Sequence, residues 1–105
     1  MTETDAKLPV APLPTVLGAL QDPVRLEMLR RLGNAGGEPV RCSALYEVVS
    51  KSTAAHHFKI LREAGLTERL TVDGQTCQRL RTGDIETALP GLLDAVIGAA
   101  NRLTE

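Results

Sequence analysis

Apolar positions recur along this chain in two rhythms, one of about 3.6 residues and one of 2, and the changes of rhythm mark out its elements. Leu13 to Leu20 is a short apolar helix segment, too hydrophobic to stand alone in water. Asp22 and Pro23 restart the chain as N-cap and first helical residue. Val24, Leu26, Met28, Leu29 and Leu32 then supply the next apolar face, which Gly33 to Gly37 ends. Val40 and Arg41 predict a short strand, and Ser43 caps a helix through Leu45 to Val49. A further helix is expected over residues 52–64. Ser52 is its N-cap, Ala54, Phe58 and Leu61 form its stripe at i, i+4 and i+7, and Gly65 sits where an αL cap belongs.

At a radial step of roughly 100° per residue, the face opposite that stripe carries Ser52, His56, Lys59 and Glu63, with Thr53 and Ile60 toward one edge. His57 lies nearer the stripe and reads as a packing or wing-supporting histidine. The rhythm then shortens. Leu66 to Val72 alternates loosely, Asp73-Gly74 is a hairpin-turn dipeptide, and Thr76 to Leu80 returns as the partner strand. Arg69, Arg79 and Arg81 make this hairpin, spanning 67–81, basic. Ile85 to Leu89 predicts one helical turn, and Pro90 starts a longer helix through about Ala100. Residues 1–12, polar or broken by proline, predict a disordered arm before a single domain over residues 13–105. The expected class is mainly α with a small β-hairpin.

A helix fit to enter a groove, followed at once by a basic hairpin, is a reader followed by a wing. Here the chain resembles the ArsR/SmtB family of bacterial transcriptional repressors, from about Leu13 to Ile97. Two segments carry the resemblance. Asp-Pro-Val-Arg-Leu-Glu-Met-Leu-Arg-Arg-Leu, starting at Asp22, matches the family's early helix, and Ser-Thr-Ala-Ala-His-His-Phe-Lys-Ile-Leu-Arg-Glu-Ala-Gly-Leu, starting at Ser52, matches its recognition helix.

The resemblance implies a winged helix-turn-helix that reads double-stranded DNA. It puts base contacts on Lys51, Ser52, Ala55 and His56, with Thr53 and Lys59 toward phosphate, while Arg69 and Arg79 reach the backbone from the wing. Ala55 departs from the family's usual serine, which makes that contact apolar. The resemblance also implies that the terminal helices pack across a two-fold axis, through Val16, Leu17, Leu20, Leu92, Leu93, Val96 and Ile97. The alternative is that these residues complete the core of a monomer. A homodimer suits a palindromic operator, and occlusion of polymerase would make the protein a repressor.

Composition sets limits on this reading. A chain of 105 residues is one domain, and at that size roughly 65% of the unfolded surface is buried, so a monomer is expected to be marginal. With one Phe, one Tyr and no Trp, base stacking is an unsuitable binding mode, which argues against a single-strand binder. The net charge of −1 hides segregation. Residues 51–81 hold six Lys or Arg against three acids, a local charge of +3 that leaves −4 elsewhere. No apolar run nears the roughly 18 residues of a membrane span, and the expected location is cytoplasmic.

The chemistry-bearing residues exclude more than they suggest. Arg41, Cys42 and Ser43 stand where thiolate-metal sensors of the resembling family carry Cys-x-Cys, and the last helix offers Asp84, Glu86 and Asp94 without a histidine, so no metal or other cofactor is called for. Cys42 and Cys77 are a candidate redox pair, if the strand at Val40 lies beside the returning wing strand in the right register; two structural thiols are the alternative. No glycine-rich phosphate loop, nucleophile elbow or catalytic cluster supports an enzyme. Besides a DNA-binding regulator, a protein-docking winged helix and a thiol-responsive regulator stay open. The sequence names no inducer.

Overall fold

A computed structural model describes residues 2–4, 7–45, 47 and 49–103. In chain order the elements are β1 (Thr2–Thr4), α1 (Leu13–Leu20), α2 (Pro23–Asn34), β2 (Val40–Arg41), α3 (Cys42–Leu45), α4 (Lys51–Glu63), β3 (Thr67–Val72), β4 (Gln75–Leu80), α5 (Thr82–Ala88) and α6 (Leu92–Arg102). The strands form one antiparallel sheet in the order β1-β3-β4-β2. The chain is therefore mainly helical with a small sheet, as a winged helix-turn-helix requires. No helix among the described residues is long and apolar enough to cross a membrane.

The helix starts follow local chemistry. Asp22 caps α2 by accepting from the Val24 and Arg25 backbone N–H groups at 2.8 and 3.2 Å, and Pro23 occupies a position whose N–H would have no helical partner. Burial pushes the Asp22 carboxyl up, but those two N–H donors and the Arg25 charge outweigh it and leave it below its ordinary value. In α4 the cap is Ser50, two residues earlier than the expected Ser52, and the helix begins at Lys51. Near the C-terminus the expected boundary also moves. Leu89, the residue before proline, leaves the helical conformation at φ −136° and ψ 73°, and Gly91 turns the chain at φ +81°, so α6 begins at Leu92 rather than at Pro90. The expected continuation of α3 to Val49 runs through residues 46 and 48, which lie outside the described ones.

One core joins the helices to the base of the hairpin. Met28, Leu29 and Leu32 of α2 meet Ala54, Phe58 and Leu61 of α4, with Leu66, Leu80 and Ile85 closing it below. Part of the expected dimer surface lies inside this core: Val16 is 0% exposed, Leu20 is 7% and Leu93 is 4%. Leu17 is 48% exposed, while Leu92, Val96 and Ile97 are half-buried.

The N-terminal segment differs from the expected disordered arm. Residues 2–4 pair with β3, Thr2 opposite Val72 and Thr4 opposite Leu70. Farther along, Ala11 donates its N–H to the Ala64 carbonyl at 2.9 Å, the Arg81 guanidinium donates to the Leu8 carbonyl, and Lys7 meets Glu68 at 3.3 Å. These are largely backbone contacts, so a polar, proline-broken sequence makes them without any apolar rhythm.

The outer face of α2 carries an ion cluster with a testable pH signature. Glu27 accepts from Arg30 Nε and Nη2 at 2.7 and 2.8 Å and from Arg31 Nε at 2.8 Å. The Arg30 bonds, then the single Arg31 bond, bring its carboxyl from 4.5 down to about 2 against the opposing effect of burial. A carboxyl depressed in the fold stabilises it above the unfolded value, and that contribution is lost as pH falls from 4.5 through about 2. Glu27→Gln is therefore expected to cost about 1 kcal/mol at neutral pH, after allowance for solvent screening, and to match the parent once Glu27 is protonated in both states. Denaturant titrations across this range check it; a gap independent of pH would assign the loss to packing.

Candidate nucleic-acid interface

The reader helix is held from behind. Phe58 and Leu61 sink into the core, and beside them His57 is buried with its Nδ1 at 3.1 Å from Arg25 Nη1. Because the guanidinium has only donors, His57 accepts at Nδ1 and carries its proton on Nε2. Arg25 also donates through Nε to the Ala19 carbonyl at 2.6 Å, so a single side chain ties α1, α2 and α4 together. His57 is thus a packing residue that positions the helix.

The opposite side of α4 faces outward. Lys51, Ser52, Thr53, Ala55, His56 and Lys59 are all exposed, so the sequence-predicted reader residues share one accessible surface. Ser50 Oγ donates to Thr53 Oγ1 at 3.1 Å, and no side chain caps the first backbone N–H groups of α4. Uncapped N–H groups at the positive end of a helix favour an anionic partner such as phosphate.

The wing forms as its turn dipeptide predicts. Asp73 and Gly74 have φ of +50° and +79°, the pair of positive values a type I′ turn demands. Its register sets Arg69 opposite Gln78 and Glu68 opposite Arg79. Neighbouring residues of a strand point to opposite faces, so Arg69 and Arg79 do not share one. Arg69 is exposed on the face toward α4. Arg79 lies on the other face, bound to the buried Glu68 carboxylate at 2.6 and 2.5 Å. Arg81 is buried and paired with Asp84 at 3.1 Å. The expected basic wing therefore reduces to Arg69; Arg79 and Arg81 hold the sheet and the N-terminal segment.

Arg62 replaces them and escaped the sequence reading. Lys51, Ala55, Phe58 and Arg62 recur at steps of four, three and four, a second stripe of α4 that faces the hairpin. With Arg69, Thr76, Gln78 and Cys42 this stripe encloses a cleft of about 400 Å³ between reader and wing. The spacing was visible in the sequence, but which edge of α4 the hairpin folds over was not.

The cysteines fall one residue out of register for a pair. Cys77 stands opposite Arg41, and its neighbour Gln78 donates through Nε2 to Cys42 Sγ at 3.8 Å. Adjacent residues on β4 face opposite ways, so Cys77 turns from Cys42 and contacts the Gln75 carbonyl at 3.7 Å. Both thiols are free and buried. Burial pushes the Cys42 thiol above its ordinary value despite the Gln78 amide and nearby Arg69 and Arg62, which is the opposite of an activated thiolate.

Comparison with known proteins agrees with this geometry. The helix-turn-helix domain family matches residues 20–69, which run from the end of α1 through α4 into β3. The chain is also similar to the uncharacterized HTH-type transcriptional regulator YceK of Bacillus subtilis (strain 168), 37% identical over 83 residues, covering 77% of this chain and 82% of that one. With its reader helix exposed and braced and its wing beside it, the chain belongs to the helix-turn-helix transcriptional regulators.

Proposed function

We propose that this regulator is a homodimeric repressor of the ArsR/SmtB type, binding a palindromic operator with residues 52–64 of each protomer in successive major grooves. The observation that carries the reading is the exposed outer face of α4, uncapped at its N-terminus and flanked by Arg62 and Arg69. His56 and Ser52 read base edges, Ala55 contacts a thymine methyl, and Lys59 and Thr53 hold phosphates. Dimerisation is supported by apolar surface the protomer leaves open at Leu13 and Leu17 of α1 and by the half-buried Leu92, Val96 and Ile97 of α6. A two-fold dimer would set its reader helices about one DNA turn apart.

A genome-wide occupancy map of the native protein tests the whole reading. A small set of two-fold symmetric sites is expected, and uniform occupancy would refute operator recognition. At residue level, His56→Ala is expected to weaken operator binding by roughly 1 to 3 kcal/mol while scarcely changing binding to scrambled duplex. Lys59→Gln is expected to weaken both alike and to reduce the salt slope by about one unit. Equal losses on both duplexes for His56→Ala would remove it from base reading.

A further inference from the structure

The cleft between α4 and the hairpin has features that DNA binding leaves unexplained. Three cations, Lys51, Arg62 and Arg69, line it with no carboxylate among them. Elsewhere Arg30 and Arg31 pair with Glu27, Arg79 with Glu68 and Arg81 with Asp84, whereas Arg62 and Arg69 have no ion pair among the described residues. Three like charges around one concavity repel one another, and an anion seated among them relieves that repulsion.

Gln78 narrows the chemistry of that anion. It lines the cleft at 1% exposure, and its Oε1 is buried without a hydrogen-bond partner, while Nε2 makes only the long contact to the Cys42 sulfur. A buried acceptor left unpaired is costly and calls for a donor. A DNA backbone phosphate satisfies the arginines but brings no donor. A small molecule joining a phosphate to hydroxyl groups brings both. The cleft, at about 400 Å³, falls in the range of roughly 300 to 1,000 Å³ usual for small-ligand sites.

We propose that this cleft binds a small hydroxylated phosphate ester, its phosphate held by Lys51, Arg62 and Arg69 and a hydroxyl donated to Gln78 Oε1 as that side chain turns to bring the buried oxygen to the cleft wall. Lys51 and Arg69 also belong to the proposed DNA surface, so the bound ester neutralises charge that the DNA backbone needs and lowers operator affinity. That regulatory consequence rests on the proposed function; the binding site does not.

The test titrates the full chain, without DNA, with glycerol 3-phosphate and with inorganic phosphate, following side-chain NMR resonances of Gln78, Arg62 and Arg69. Saturable shifts at all three are expected, with the ester binding more tightly than phosphate. Arg62→Gln is expected to weaken the ester about tenfold, the loss of one charge-assisted contact, and Arg102→Gln, the same charge change on the distant end of α6, to leave it unchanged. Gln78→Leu should erase the preference for the ester; if that variant does not fold, the Gln78 amide shift in the parent chain decides the same point. Phosphate binding as tightly as the ester with Gln78 unmoved would overturn the proposal, making the cleft a bare phosphate seat. No saturation, or an Arg62→Gln variant that binds equally well, would overturn it too. A second arm measures duplex affinity at constant ionic strength: unchanged affinity under saturating ester would refute the coupling, and a chain that binds the ester but no duplex would refute the DNA-binding reading alone.

Discussion

Glutamate in place of Leu17 is expected to leave the protomer folded and to divide the proposed dimer, whereas the same change at Leu93 is expected to unfold the chain. Leu93 is 4% exposed and belongs to the main core, so Leu93→Glu removes a buried apolar side chain and places a carboxylate among aliphatic neighbours. The lost burial costs about 2 to 3 kcal/mol and the stranded charge several more, against a total stability of roughly 5 to 15 kcal/mol. Leu17 is 48% exposed, and a polar change there costs the protomer at most about 0.5 kcal/mol. In a two-fold dimer, however, each copy of Leu17 would be covered by the other, and the substitution would bury two charges in one interface. Operator affinity should then collapse, because one half-site gives too little contact to compete with non-specific sequence. Circular dichroism, sedimentation and operator titration on both variants separate the effects. A Leu17→Glu protein that stays dimeric would put the interface elsewhere.

That contrast also shows what the sequence could and could not convey. The apolar faces of α1 and α6 were legible from periodicity, but periodicity states only that a face needs covering. The resemblance sets Val16, Leu20 and Leu93 against a second protomer, with the monomer's core as the alternative, and they are covered within the protomer. Features set by neighbouring residues were read well: the Asp22-Pro23 start of α2, the Ala54, Phe58 and Leu61 stripe, and the Asp73-Gly74 turn. Features that depend on sheet register were not, because a shift of one residue exchanges faces. This is why Arg79 turned from the reader to Glu68 and why Cys77 missed Cys42, while Arg62 went unnoticed because the sequence does not say which edge of α4 the hairpin folds over. The N-terminal segment escaped for a third reason, since it is bound through backbone groups that carry no side-chain signature.

Gly65→Ala is expected to be among the most damaging single-atom changes available in this chain. Gly65 has φ of +79°, a conformation that costs an L-residue with a side chain about 1 to 2 kcal/mol. A Cβ built there would also overlap the Pro9 carbonyl oxygen and lie 2.5 Å from Val10 Cα. Both are main-chain atoms, and no rotamer change moves them away. They are held in place because Ala11 donates to the Ala64 carbonyl at 2.9 Å and Arg81 grips the Leu8 carbonyl. Relieving the overlap means lifting the N-terminal segment from the end of α4, which adds about 1 to 3 kcal/mol to the conformational strain. The combined loss of about 2 to 5 kcal/mol is a large share of the stability of so small a domain. Denaturant unfolding measures the total, and hydrogen exchange locates it: protection of the Ala11 amide should fall more than that of Leu61 in the middle of the core. A variant that loses less than 1 kcal/mol, with Ala11 still protected, would mean that the segment accommodates a methyl group and does not brace the reader helix.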